Sequence, residues 1–401
     1  MIHTWKKYKL SEIGSVVGGA TPSTTVDAYY NGDIPWLTPK DLSDFHERYI
    51  ERGERNITKS GLNSCSAQLL PAGSVLFSSR APIGYVAIAK NPIATNQGFK
   101  SIIPNPEKVD SLFLYYLLRY NKDNIEAMGS GTTFKEVSGA TMKNIEVYLP
   151  EDLDEQRRIA GILGSLDDKI ELNRRINANL EAQAQALFRS WFVDFEPFRD
   201  GPFVDSELGK IPQGWKVAEL GDVTKQQTEK VGPQKTVKVL SPITSGELVL
   251  SEEYFTKQVF SESIAKYIIV KPNQFAYNPA RINIGSIGRN TFEFDGCVSP
   301  VYVVFECEKG YHYFFDFFRK TDTFKQEVIS RAIGGVRQTL GYKDFALIKV
   351  IYPPQNVVLE FNTIYTNLLN LQNHNNIEVK NLSALRDTLL PKLMAGEIAI
   401  E

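Results

Sequence analysis

The feature that most constrains this chain is that it repeats itself. Trp5-Lys6, Leu10, Glu12 and Ile13 return 210 positions later as Trp215-Lys216, Leu220, Asp222 and Val223. Pro71, Arg80, Ile83-Gly84 and Val86 return at an offset of 201 as Pro272, Arg281, Ile284-Gly285 and Ile287. Gly131, Ile145 and Val147 return at 203 as Gly334, Ile348 and Val350. Leu166, Asn173, Leu180 and Leu187 return at 202 as Leu368, Asn375, Leu382 and Leu389. Four collinear blocks with a drifting offset mark a diverged tandem duplication. The 401 residues are therefore two copies of one unit, each of about 200 residues and long enough for its own core.

Each unit follows one plan. Short runs of strand composition come first, such as Gly73-Ser74-Val75-Leu76-Phe77 and Val301-Tyr302-Val303-Val304-Phe305, interrupted by helical patterns over Leu112–Leu118 and Tyr313–Phe318. A proline-bearing break follows, at Leu149-Pro150 and at Tyr352-Pro353-Pro354, and then one long helix. The first helix is predicted from about Asp154 to Phe192, with Asp152 or Asp154 capping it and acidic residues in its first turn. Its seam alternates steps of four and three: Ile159, Leu163, Leu166, Ile170, Asn173, Asn177, Leu180, Ala184, Leu187, Trp191. The second is predicted from about Gln355 to Met394, with the seam Leu368, Leu371, Asn375, Glu378, Leu382, Leu385, Leu389 and an end marked by Pro391 and Gly396. Each rod would be roughly 58 Å long.

Neither helix can leave such a seam in water, so the two should pack on each other. A pseudo-twofold relation between the copies makes that pairing antiparallel. Asn173 and Asn375 occupy the same repeat position and would set the register if buried; the alternative is that they flank a broader stripe using Ile176 and Ile377. Residues 193–214, dense in proline and glycine, read as a linker. The expected fold class is α/β (α+β). Two pseudo-repeated mixed α/β domains, 1–150 and 197–353 with the linker, are separated by an antiparallel pair of coiled-coil helices, 151–196 and 354–401. The domains are expected at opposite ends of that spacer.

Charge and composition narrow the function. Lys+Arg number 45 against Asp+Glu 47, a net charge of −2, which argues against coating nucleic acid by bulk charge. The acidity sits in 151–196 (net −4) and 354–401 (net −2), while 1–150 and 197–353 are each +2. Cys65, Cys297 and Cys307 are too scattered for a disulfide framework, and no CxxC pair suggests zinc. The opening residues lack a signal-peptide core, and no run of about 18 apolar residues occurs. These facts lead us to expect a soluble cytoplasmic protein that binds no metal.

No GxxxxGK[ST], GxSxG or HExxH sequence is present. His3, His46, His312 and His374 share no metal-binding spacing and read as surface residues. Gly129-Ser130-Gly131-Thr132-Thr133 and Gly285-Ser286-Ile287-Gly288 are glycine-rich without the dinucleotide context. Asn278-Pro279-Ala280-Arg281 resembles the Asn-Pro-Pro-aromatic motif of amino-methyltransferases but lacks the aromatic, and no glycine-rich S-adenosylmethionine loop precedes it. Binding is the better reading. Matched places in the two units offer Ser78-Ser79-Arg80 and Thr132-Thr133-Phe134-Lys135 against Asn278-Pro279-Ala280-Arg281 and Val336-Arg337-Gln338-Thr339. Arg reads guanine and Asn or Gln reads adenine bidentately, while Lys and Thr suit phosphates. Arg80 and Arg281 could equally recur because they brace the fold by pairing with a buried carboxylate. The differing pairs, Phe134-Lys135 and Arg337-Gln338, are better placed to choose sequence.

Several phrases are similar to one family over nearly the whole chain. These are Trp5-x4-Leu10-x-Glu12-Ile13, Ile34-Pro35-Trp36-Leu37-Thr38-Pro39-Lys40-Asp41-Leu42, Ala94-Thr95-Asn96-Gln97-Gly98-Phe99 and Glu155-Gln156-Arg157-Arg158-Ile159-Ala160 with Leu166-Asp167-Asp168-Lys169-Ile170. The phrases Ser206–Trp215 and Leu390–Ile398 complete the set. Unit two departs where Ser299-Pro300-Val301 replaces Gln-Gly-Phe, and at Pro354-Gln355-Asn356-Val357-Val358. The chain resembles the specificity subunit of type I restriction–modification systems. The resemblance implies two target recognition domains, each reading half of a split, asymmetric site on double-stranded DNA, with the helical spacer setting the gap. It implies a non-catalytic chain that binds no cofactor. Two methyltransferase subunits would use S-adenosylmethionine, and restriction subunits would use ATP and Mg. Expected DNA contacts are Arg80, Gln97, Thr133, Lys135, Asn278, Arg281, Arg337 and Gln338. Expected spacer and docking positions are Arg157, Arg158, Ile159, Leu166, Ile170, Asn173, Leu180, Leu368, Asn375, Leu382 and Leu389. The rival readings are a stand-alone adenine DNA methyltransferase and a coiled-coil scaffold with no nucleic-acid role.

Overall fold

The computed structural model describes residues 5–131, 135–233, 237–332 and 339–398. The chain divides into two units: unit one is Met1–Asn177 with Gln372–Glu401, and unit two is Ala178–Leu371. Both divisions fall inside the long helices.

In unit one, Val75–Ser79 is buried along its whole length, which explains its unbroken apolar run. It lies inside a five-stranded sheet ordered Gly14–Gly18, Lys100–Pro104, Val75–Ser79, Ile83–Ala89, Tyr49–Ile50. The helix Ser111–Tyr120 starts where the Asp110 carboxylate accepts from the Leu112 and Phe113 amides, an N-cap of the ordinary kind. Its Phe113, Leu114 and Leu117 join Val75, Phe77 and Ile102 in one core. Trp5–Lys9 pairs antiparallel with Glu146–Pro150.

Unit two repeats this plan. Its principal sheet runs Thr224–Gln227, Val303–Cys307, Phe275–Tyr277, Ile287–Arg289, the same order as the first four strands above. Lys216–Glu219 pairs with Lys349–Tyr352 as Trp5–Lys9 does with Glu146–Pro150, and His312–Phe318 stands for Ser111–Tyr120. The offsets read from the sequence are thus offsets of topology.

The stretch expected as a linker is folded. Phe203–Ser206 and Gly209–Pro212 form a hairpin, and Phe195, Ile211 and Trp215 are buried in the core of unit two. Glycine and proline sit at its turns, while the aromatic and aliphatic residues between them pack.

The long helices span Leu153–Phe192 and Gln355–Met394, 40 residues each. Asp152 caps the first by accepting from the Asp154 amide. All ten predicted seam residues of this helix are buried or half-buried. On the second helix the seam needs a correction. Leu371 and Leu385 are exposed, and Gln372 and Arg386 turn inward in their place. Gln372 donates to the Asn177 carbonyl and Arg386 to Asp167, so a paired polar group holds the inward position that hydrophobicity alone assigns to leucine. Pro391 lies inside the helix near its end. The chain turns off after it at Gly396, whose φ is 70°, a conformation glycine adopts without strain.

Within unit one the helices run antiparallel, because Asp167, Asn173 and Asn177 meet Arg386, Glu378 and Gln372 in turn. Asn173 is 1% exposed and donates to Glu378 at 2.7 Å, while Asn375 donates to the Asn177 side chain at 2.9 Å. Ile176 and Ile377 face outward. The seam asparagines are therefore inside, each with a named partner, as a register role requires.

Candidate nucleic-acid interface

At one end of the unit-one sheet, the turn between Val75–Ser79 and Ile83–Ala89 carries Arg80. The Ser78 hydroxyl donates to the Pro82 carbonyl and accepts from the Tyr85 amide, both at 2.8 Å, which holds the turn. Arg80 is half-buried and meets Glu136 at 3.5 Å; Lys100 reaches the same carboxylate at 3.3 Å. Val137 donates its amide to the Ser79 carbonyl, which ties it to this strand end. Arg80 does pair with a carboxylate, but Glu136 is half-exposed and not the buried partner that a bracing role would need. Lys135 is exposed beside Glu136.

The motif Ala94–Phe99 forms a tight loop against the same end. Asn96 accepts from the Gly98 amide at 2.8 Å, and a Cβ on Gly98 would come within 2.7 Å of Pro39 and 2.9 Å of the Asn96 side chain. Phe99 is buried. Gln97 is the exposed residue of the motif, and its side-chain oxygen accepts from the Thr21 hydroxyl.

In unit two the corresponding turn has different chemistry. Asn278 accepts from the Ala280 amide at 3.0 Å, an Asx turn that leaves Arg281 exposed. Among the described residues Arg281 makes no ion pair. Tyr302 lies close by. Burial pushes its phenol up, and the neighbouring Arg281 charge and a hydrogen bond with Asn278 pull it the other way. Ile284 and Val301 are 53% and 70% exposed. Sequence reading missed both, because isolated aliphatic residues in strand-like runs look like core. Thr133, Arg337 and Gln338 lie outside the described residues.

The spacer positions divide. Arg157 and Arg158 are exposed, with Arg157 paired to Asp154. Ile159, Ile170, Asn173 and Leu180 are buried, and Leu166, Leu368, Asn375, Leu382 and Leu389 are half-buried. These nine spend their surface on packing within this chain. What the helices leave outside was not anticipated: Ile162, Leu172 and Ile176 on the first, Leu359, Ile364, Leu371, Ile377 and Leu385 on the second.

Sequence reading also missed two buried ionic groups. Arg48 donates to Glu171 at 3.0 Å and pairs with Asp168, while Asp167 accepts from Tyr116 and from Arg386 at 2.6 Å each. In unit two Asp316 lies between Arg289 and Arg319 at 3.1 and 2.6 Å, and those guanidiniums hold its carboxyl below the usual range against the effect of burial. His312 is half-buried, not the fully exposed residue expected. Burial, helped by the Arg289 charge, pushes its imidazole down to about 4. Among the described residues no group of three or more His, Cys, Asp and Glu side chains could hold a metal ion, and no helix is long and apolar enough to cross a membrane.

Residues 2–182 match the family described as the type I restriction modification DNA specificity domain. The chain is 36% identical to the type I restriction enzyme MjaIX specificity subunit of Methanocaldococcus jannaschii, over 99% of this chain and 94% of that one. It is 25% identical to the HindI specificity subunit of Haemophilus influenzae, over 98% and 99%. The crystal structure of a type I restriction-modification S subunit from M. genitalium shares the fold, with a TM-score of 0.56 at 17% identity over 98% and 96% of the two chains.

Proposed function

From the premise that this chain belongs to the family of type I restriction–modification DNA specificity subunits, we propose that each unit reads one half of a bipartite, asymmetric site on double-stranded DNA. Unit one reads through Arg80, Gln97 and Lys135, and unit two through Asn278, Arg281 and the apolar groups beside them. The chain supplies address and the chemistry belongs to its partners: methyltransferase subunits using S-adenosylmethionine, and restriction subunits using ATP and Mg. The exposed aliphatic residues of the long helices suit docking by such partners better than the seam does, because the seam is already spent.

The observation that carries this reading is a repeated scaffold with unrepeated loops. Two sheets of one strand order present an arginine paired with Glu136 in one copy and, in the other, an arginine with no ion pair among the described residues. Equal scaffolds with unequal polar groups are what an asymmetric two-part site asks for. The test replaces residues 1–150 with those of another family member, co-expresses the chain with its methyltransferase subunits and sequences the methylated DNA. One half of the methylated motif should change and the other persist. A change in both halves, or methylation with no motif, would break the reading.

A further inference from the structure

We propose that a small polar cavity in unit one is a phosphate-type oxyanion site. The cavity holds about 270 Å3, and its walls are the Leu42–Glu47 segment, Gly84–Val86, the helix Ser111–Tyr120 and both long helices. Three guanidiniums from three helices line it: Arg119, Arg174 and Arg386. One carboxylate lines it, that of Glu47, and Arg175 draws this group at 3.3 Å.

Donor accounting separates the three arginines. Arg386 is committed, with bonds to Asp167 and Asp387 from Nε and both terminal nitrogens. Arg119 spends only Nη1, on the Tyr115 hydroxyl at 3.2 Å, with Asp167 at 3.8 Å. Arg174 spends only Nη1, on the His46 carbonyl at 2.9 Å. A guanidinium carries five N–H donors in a rigid fork, so among the described residues Nε and Nη2 of both arginines are without partners. Both side chains keep part of their surface in water, and Arg119 has Asp167 as a distant counter-charge, so it is the spare donors that point to a ligand: two such forks suit the tetrahedral oxygens of a phosphate.

Unit two supplies an independent observation. Lys320 follows Arg119 by 201 positions, the offset that relates Arg80 to Arg281, and it too lines a cavity, of about 690 Å3, with Arg289 and Arg319. A cation thus stands at the matching sequence position in both copies, and each lines a cavity. In unit two Asp316, Glu247 and Glu253 line the cavity as well and offset the cations. The unit-one cavity keeps the surplus, and it is the one assigned.

Gly84–Val86 follow Arg80 in the same hairpin, which puts the cavity beside the proposed reading edge. The oxyanion is either a phosphodiester of bound DNA or free phosphate. The first source deepens the DNA reading and rests on it; the second does not. Arg119→Gln and Arg174→Gln leave the committed Arg386 intact, and unchanged circular dichroism and melting temperature would show that each variant folds. With the full chain and its methyltransferase partners, a phosphodiester contact predicts that either variant lowers the slope of log affinity against log salt by about one. Cognate and scrambled duplexes should weaken by the same factor, roughly threefold. A free-phosphate site predicts unchanged DNA binding but loss of the melting shift that inorganic phosphate gives the full chain. Either result supports the site. If neither DNA binding nor the phosphate shift changes, or if only cognate duplex weakens, the inference is overturned. A wild-type complex that selects no motif would break the DNA reading alone, and the phosphate arm would still decide the cavity.

Discussion

The two units hold the same long helices by different chemistry. Unit one adds buried charge to the apolar packing of Ile159, Leu163, Leu393 and Met394: Arg48 against Glu171 and Asp168, and Asp167 against Tyr116 and Arg386. Unit two holds them by rings. Phe188 stacks on Phe317 at 5.2 Å, and Phe192 meets Phe314 and Phe361 edge-on at 5.1 and 5.0 Å, with Tyr365 against Phe317 at 4.9 Å. Asp167 has Leu369 as its counterpart 202 positions on. The duplication preserved strand order and helix length while each interface was rebuilt. A buried ion pair is demanding of geometry and gives little net stability, whereas aromatic clusters stabilise through area with looser directionality. Unit one should therefore be the copy whose helix seating fails sharply when a single partner is removed, and unit two the copy that depends on volume.

The largest expected effect tests the aromatic side. Phe188→Ala removes a ring that touches Phe192, Phe314, Phe317 and Phe361, and a cavity of that size costs about 3–5 kcal/mol. Hydrogen exchange resolved along the chain should show protection lost through unit two and kept in the sheet of unit one. A loss below about 1 kcal/mol would mean that the ring cluster is dispensable. The next effect tests the ionic side. Arg48→Met leaves buried Glu171 with only the residue-48 amide and Arg175 at 3.8 Å and should cost about 3 kcal/mol. Adding Glu171→Gln should return more than half of that, because much of the penalty is the orphaned carboxylate. If the double variant is no more stable than the single one, Arg48 contributes packing and not charge.

How much of this was legible in the sequence follows from the same contrast. The repeat, the two helices and their antiparallel pairing could be read because each depends on periodicity, and periodicity survives divergence. The second helix's seam was misread at Leu371 and Leu385 because hydrophobicity favours leucine inward. Nothing local shows that Gln372 and Arg386 have partners on a helix about 200 residues away. Arg48, Asp167 and Asp316 were missed for the same reason, since a buried ion pair leaves no periodic trace. Arg80 and Arg281 were found through their recurrence, but only the structure shows that Arg80 pairs with Glu136 while Arg281 has no ion pair among the described residues. Ile284 and Val301 could have been found by asking which strand-like residues lie next to turns and not inside strands.

The smallest effect concerns pH and sharpens the comparison further. His312 opens the helix whose unit-one counterpart opens with Ser111, so acid sensitivity at this position belongs to unit two alone. Its folded imidazole titrates at about 4 because burial and the Arg289 charge disfavour the cation, with Asp316 opposing them weakly. In the unfolded chain it titrates near the usual ~6.5. Above ~6.5 both states are neutral and nothing is at stake. As pH falls below that, the unfolded chain takes up the proton first, so folding stability drops until the folded group protonates too. The loss should reach roughly 1–2 kcal/mol after allowance for partial solvent screening. Asp316, whose folded carboxyl is held low, contributes stability that is lost only at still lower pH, so the two windows are separable. Urea unfolding between pH ~7 and ~4 should show this decline in the parent chain and a flatter curve in His312→Gln, with the two curves converging above ~6.5. Equal slopes would place the imidazole in water, and unit two would then be no more acid-sensitive at this helix than unit one.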